Sequence, residues 1–285
     1  MTAKTVKSRP AATEVRRLTR LLQRWSAPPG DVDVETVPSG APPLDAALAD
    51  GGFRRGWLVE WLAAGRGAGA GALALLAARE ACRTGGALVI VDRAGTFYPP
   101  ALAAWGVDLS RTIVALPATD RDEAWAIDQA LRCPHAAAVL AAPRRIDDRN
   151  FRRWQLAAET SGAMGLLLRP AAARSEPTWS AVRMQVTPQG TATGWEQAQS
   201  GWGRAERPPR GAMRDAEFSG GSRWSSPAAP TNDWPLRLEL LRSRGPLRAR
   251  TLHVQLDPRT GDCHETDPRR VVAQLAVGPA RDQTA

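Results

Sequence analysis

Between Trp57 and Arg169 the chain alternates short, unbroken apolar runs with longer amphipathic segments, and this alternation restricts the possible folds more than any other feature. Runs such as Ala87–Val91 and Ala136–Ala141 are too short for stable helices. They are apolar at every position and not at every second one, which is the pattern of strands buried on both faces. Trp57–Leu62, Thr112–Leu116 and Gly165–Arg169 read as strands of the same kind. The intervening segments Gly71–Arg83, Pro100–Trp105, Asp120–Arg132 and Asp148–Thr160 predict helices, the last turning Phe151, Trp154 and Ala158 inward and stopping at Gly162. Asp120 and Glu123 have the spacing of a capping box, and Asp147 and Asp148 open the following helix. Parallel neighbours need long crossovers, so the series implies an α/β fold: a mostly parallel, twisted sheet flanked by helices on both faces.

The flanks of this series differ from it. Residues 1–35 hold a separate N-terminal helix and its linker, with Val15, Leu18, Leu21, Leu22 and Trp25 on one face and Arg16 and Arg20 among the basic residues elsewhere. The core is expected over 36–189, beginning near Val37 with a short helix that includes Leu44, Ala47 and Leu48 and ends at Gly51 and Gly52. Past Pro170 the period changes, and Trp179–Val186 alternates like a half-buried strand. Leu236–Arg242 and Thr251–Asp257 form a candidate antiparallel pair, so residues 234–278 supply late antiparallel strands that complete the core. Residues 190–233 are rich in Gly, Pro, Ser, Arg and Trp without any sustained period and read as a disordered insertion; 279–285 form a tail.

Composition sets the classes of partner. A chain of 285 residues with 43% hydrophobic content can bury one substantial core. Its charge of +9, from 38 Lys and Arg against 29 Asp and Glu, fits an acidic partner such as nucleic acid. Cys82, Cys133 and Cys263 form no CxxC pair, which supports neither a disulfide framework nor a zinc site. No apolar run approaches the roughly eighteen residues of a membrane span, and no secretory h-region follows the basic start, so a cytoplasmic protein without membrane contact is expected.

Three stretches taken together resemble RecA, and more closely its shortened relatives of the ImuA type. The first places Ser39, Gly40, Leu44, Asp45, Gly51, Gly52 and Gly56 ahead of a glycine-rich loop that follows a strand and opens a helix. The second, LVIVDRAGTFYPPALAAWGVDLSRTIVALP, is similar to the D-x-E-x-x-x-x-P turn and G-V-D element of the RecA core. The third, TWSAVRMQV with LRLELLRSRGPLRARTLHVQLD after the insertion, looks like the late sheet strands of that core. The resemblance spans about residues 36–258 without the insertion.

The resemblance also shows what is missing. A working phosphate loop needs a Lys for the outer phosphates and a Ser or Thr for Mg²⁺. In the loop Gly65, Arg66, Gly67, Gly69, Ala70, Gly71, those two positions are Ala70 and Gly71. The Glu that activates water in RecA is matched by Ala94, and the metal-supporting Asp by Ala142. The chain is thus expected to be a pseudo-ATPase with degenerate Walker A and Walker B motifs, no cofactor, no metal, and at most weak anion binding at the helix start.

By the same resemblance it would be a non-catalytic adaptor in SOS-induced translesion synthesis and mutagenesis. Its partners would be an ImuB-type inactive Y-family polymerase homologue, an error-prone polymerase III alpha-type subunit, and RecA itself. The link from Leu168 to Trp179 is shorter than the second DNA-gripping loop of RecA. Candidate contacts to single-stranded DNA or to partners are instead Arg16, Arg20, Arg144, Arg145, Trp202, Arg204, Arg207, Arg210 and Trp224. Two other readings stay open: a DNA-dependent ATPase that uses Arg66 at a non-standard nucleotide site, and a SulA-like inhibitor of cell division.

Overall fold

A computed structural model of the protein describes residues 35–65, 67–189 and 234–266, and the unit that begins at Thr36 holds the sheet. Its strands are β1 (Thr36–Val37), β2 (Phe53–Arg54), β3 (Leu58–Ala63), β4 (Ala87–Val91), β5 (Thr112–Ala115), β6 (Ala136–Ala141), β7 (Met164–Pro170), β8 (Val182–Pro188), β9 (Trp234–Ser243), β10 (Thr251–Leu256) and β11 (Cys263–Glu265). The helices are α1 (Pro42–Ala47), α2 (Ala70–Cys82), α3 (Pro99–Ala104), α4 (Asp120–Arg132) and α5 (Asp148–Ser161). Nine strands form one sheet in the order β11-β10-β9-β8-β3-β7-β6-β4-β5. From β8 to β5 every neighbouring pair is parallel, and β9, β10 and β11 add on antiparallel.

The two faces of the sheet are covered unequally. On one, α1, α2 and α3 bury Val59, Trp61, Leu88 and Ile90, and this core continues beneath β8, β9 and β10 through Val182, Leu236, Leu238 and Val254. On the other, α4 and α5 cover Leu58, Val139 and Leu167 with Ile127, Leu131, Phe151 and Trp154. That second core does not extend under the late strands, where Gln185, Arg237 and His253 reach solvent. The half-buried alternation of these strands follows from this one-sided covering.

The glycines ahead of the first core strand hold backbone positions. Gly40 has φ 77°, and a Cβ there would lie 2.8 Å from the Leu76 side chain on α2. A Cβ on Gly56, at φ 76°, would lie 2.9 Å from the Ala158 carbonyl on α5. Both combine a left-handed conformation with close approach, which only glycine tolerates well. The adjoining turn is closed by Asp45, whose Oδ1 accepts from the Ser39 backbone N–H at 2.8 Å.

Three local expectations are corrected. The cap of α4 is Thr119, whose hydroxyl accepts from the Asp122 N–H at 3.1 Å, so the N-cap lies one residue before Asp120. The strand expected from Trp179 begins at Val182, because Thr178 and Ser180 fold into a turn around a buried carboxylate. The helix expected to run to Gly51 stops at Ala47, where the Leu48 N–H turns back to the Asp45 and Leu44 carbonyls. The short strands β1, β2 and β11 carry too few residues for a period to register. The N-terminal helix, the 190–233 insertion and the tail lie outside the described residues.

Burial pushes the Asp45 carboxyl above its ordinary 3.8, repulsion from Glu80 adds to this, and the Ser39 hydrogen bonds oppose it. A raised carboxyl means that the folded state binds the proton more tightly than the unfolded chain. The charged form therefore costs stability above the folded value, and that cost disappears as pH falls below 3.8. Asp45→Asn keeps an Oδ1 acceptor for Ser39, so it should be more stable than the parent at pH 7, with the advantage shrinking towards pH 4; urea unfolding at the two pH values measures it.

Candidate functional site at the carboxyl ends of the parallel strands

Ligands of open α/β sheets bind where adjacent strands send their connections to opposite faces, at the strands' carboxyl ends. β3 leads into α2 on one face, while β7 leads into the 171–181 segment on the other. The loop between β3 and α2 keeps its glycine-dependent shape: Gly67 and Gly69 have φ 70° and 81°. A Cβ on Gly69 would lie 2.7 Å from Leu236 Cδ1, so β9 packs directly against the loop. Gly65, Gly67 and Gly71 are exposed, and Ala70 is buried in the core. The space beside Gly71 meets only Leu168 Cδ1, at 3.7 Å. Arg66 is outside the described residues.

The positions expected to carry a water-activating base and a metal ligand both open to solvent as alanines. Ala94 lies in a turn after β4 that is held by Asp92, whose Oδ2 accepts from the Phe97 N–H at 2.7 Å. Ala142 follows β6. Among the described residues no three His, Cys, Asp or Glu side chains cluster closely enough to hold a metal ion, and no helix is long and apolar enough to cross a membrane. Arg144 and Arg145 are exposed just beyond β6. Arg16, Arg20, Trp202, Arg204, Arg207, Arg210 and Trp224 lie outside the described residues.

An ionic cluster beneath the 171–181 segment was not anticipated. Glu60, in the middle of β3 and fully buried, accepts from Arg183 Nε at 2.7 Å, from Arg169 Nη1 at 3.3 Å and from Ser180 Oγ at 3.0 Å, with the Thr178 hydroxyl also bonded to it. Arg169 reaches on to Glu176 Oε2 at 2.6 Å, and Arg183 Nη1 donates to the Glu176 carbonyl at 2.7 Å. Two arginines and two carboxylates thus balance in charge and tie both ends of the segment to the sheet. Arg174, in the middle of it, makes a two-pronged pair with Glu239 on β9 at 2.9 and 2.7 Å. The signal was present in the sequence as single charges inside apolar strands: Glu60 in LVEWLA, Arg169 in GLLLRP and Arg183 in AVRMQV. Only the register, which sets Glu60 beside Arg183 across β3 and β8, reveals that they meet.

A second crevice opens where β5 and β6 end. A cleft of about 600 Å³ lies between the first turns of α4 and the loop from β6 into α5. Glu123, Trp125, Arg121, Arg145 and Trp154 are among its lining residues. Sequence reasoning singled out Arg145 but not the cleft, because α4 and the β6–α5 loop meet only in three dimensions.

Removing Glu60 would leave two buried guanidiniums without their shared anion. Breaking one partner out of such a cluster costs about 3–5 kcal/mol. Glu60→Ala should lower unfolding stability by that amount in urea and expose the bond after Arg174 to trypsin, which limited proteolysis of the native protein would detect.

A family model described as the RecA N-terminal domain matches residues 24–140. The RecA protein of Lactobacillus delbrueckii subsp. bulgaricus is 36% identical over 92 residues, covering 32% of this chain and 28% of that protein. The RecA protein of Arthrospira platensis is 38% identical over 99 residues, covering 35% of this chain and 27% of its own length. The chain therefore spans little more than a quarter of the curated relatives that it matches. In three dimensions it is similar to the crystal structure of the RadB recombinase, with a TM-score of 0.53 and 15% identity over 81% of this chain and all of that one. The fold is RecA-like, with RecA-type sequence concentrated in its first half.

Proposed function

We propose that this RecA-like chain is an ImuA-type adaptor of translesion DNA synthesis that does not hydrolyse ATP. The observation that carries the reading is the joint loss of polar function at Ala70, Gly71, Ala94 and Ala142 on a backbone that keeps the loop's glycine geometry. Phosphoryl transfer relies on a cation at the outer phosphates, a held metal and an oriented nucleophile. None of these four side chains supplies one. Ala70 is packed into the core and the approach to Gly71 is flanked by the apolar Leu168, so the region is built for packing and not for a charged ligand.

A second support is the 171–181 segment. A loop that closes on a strand of nucleic acid must be able to move, whereas here Thr178 and Ser180 are bound to Glu60, Glu176 to Arg169 and Arg183, and Arg174 to Glu239. With the motor chemistry absent and this loop fixed, what the fold offers is a scaffold for protein contacts. The expected partners are an ImuB-type polymerase homologue, an error-prone polymerase III alpha-type subunit and RecA, with direct contact to single-stranded DNA secondary.

Two measurements test this. The purified chain should show no ATP hydrolysis above background with or without single-stranded DNA; turnover that follows the protein and disappears in Arg66→Ala would overturn the reading. Affinity capture from DNA-damaged cells should recover the polymerase homologue, and recovery of the division GTPase in its place would point to the SulA-like alternative.

A further inference from the structure

The outer face of α5 gathers cationic and apolar groups that the fold does not use up. Arg149, Arg152, Leu156 and Glu159 follow one another at the three- and four-residue spacing of a single helix stripe, opposite the buried Trp154 and Ala158. Two neighbouring elements frame it. From the 171–181 segment, Trp179 donates its indole N–H to Asp148 Oδ1 at 2.7 Å, and the Arg152 guanidinium lies over its ring at 4.7 Å. From the turn after β9, Arg244 pairs with Glu159 at 2.7 Å. Between Arg149 and Glu159 the stripe runs about 15 Å at the helical rise. Its carboxylates are spent within the fold: Asp148 holds the Trp179 indole, and Glu159 accepts from Arg244 and from Gln155 Nε2, the latter at 2.8 Å. Its cations are not. Arg149 is exposed with no partner among the described residues, and Arg152 has the neutral Gln155 side chain and the Trp179 ring as its partners. Single exposed apolar residues are ordinary. Here two are joined: Trp179 is 36% exposed, Leu156 is 46% exposed, and Arg152 contacts the first and stands one turn from the second. The indole is fixed before any partner arrives, which lowers the entropy cost of binding.

We infer that this stripe docks an acidic, amphipathic segment of a protein partner, with one large apolar side chain seated between Leu156 and Trp179 and carboxylates one turn away reaching Arg149 and Arg152. The acidic character follows from the charges left over, both of them guanidiniums, which bind carboxylates in a two-pronged geometry. A basic segment would meet the same arginines with no free carboxylate on the stripe to answer it. A nucleic acid strand needs flat ring faces for its bases. Leu156 offers an aliphatic surface in their place, and the guanidinium of Arg152 already lies over the Trp179 ring. Aromatic and arginine side chains are also the groups that carry most of the binding energy at protein interfaces. This inference rests on the reading of the chain as an adaptor and adds to it a surface and a partner chemistry. The surface lies on the opposite face of the sheet from α2 and its degenerate phosphate loop.

A display library of random dodecapeptides, selected on the immobilised full chain, supplies the probe. Enriched peptides should carry paired Asp or Glu residues within a helical turn of a Leu, Ile, Phe, Trp or Met. In fluorescence anisotropy with the most enriched peptide, Leu156→Ala should weaken binding by about five-fold or more, as expected for the loss of one interface anchor. Arg149→Glu should weaken it by about ten-fold, because attraction becomes repulsion, and affinity should fall as salt rises. Both positions are exposed, so neither change should move the urea midpoint, and Gln129→Ala on α4 should bind like the parent. Enrichment of basic or uncharged peptides, affinity that ignores both substitutions, or displacement of the peptide by a thymidine dodecamer would overturn the proposal. Capture of the polymerase homologue with no carboxylate-rich peptide enriched would sink this surface and leave the adaptor reading standing. Selection that behaves as expected while no polymerase homologue is captured would keep the surface and sink that reading.

Discussion

Glu60 sits where a parallel sheet tolerates charge least, in the middle of a strand flanked on both sides, and much of the architecture follows from what satisfies it. Its partners come from the end of β7, the start of β8 and the segment between them. Side chains alternate between the faces of a strand, so a one-residue slip of β3 would turn Glu60 into the apolar core beneath α2 and Trp61 towards the arginines. The cluster therefore acts against wrong pairings of the central strands. Buried ion pairs of this type are poor evidence for net stability, since desolvation offsets most of the attraction, and register is the better explanation for retaining one.

The same contacts decide the character of the sheet's carboxyl edge. The 171–181 segment follows β7, the strand next to β3. Here it is short and anchored, and its Arg174 bridges to β9. β9 in turn fills the space beside Gly69 with Leu236. Gly69 thus has a packing role, since it allows a late strand to approach the start of α2.

Most of the parallel half was legible because each strand and helix there is long enough to show its period, and the limits of β4 and β6 were read to the residue. The RecA-like topology was legible for the same reason, through an ordered series of motifs. Errors gathered where tertiary contacts override local pattern. Thr178 and Ser180 read as strand but bend around Glu60, and Thr119 caps α4 although Asp120 had the expected spacing. That Ala70, Gly71, Ala94 and Ala142 carry no polar side chain is plain from residue identity, which needs no geometry.

What the sequence determined by itself was the order of elements and the absence of particular chemical groups, both of which are properties of residues taken one at a time or in short windows. What only the tertiary structure decided was which charges meet. Glu60, Arg169 and Arg183 lie more than a hundred residues apart in part, and are joined by strand pairing across β7, β3 and β8. Glu123 was read as a helix-capping residue, yet it lines a cleft opposite Arg145 because α4 and α5 pack on the same face of the sheet. The physical reason is the same in both cases: the cost of burying a charge depends on its neighbours in space, and chain order does not specify them.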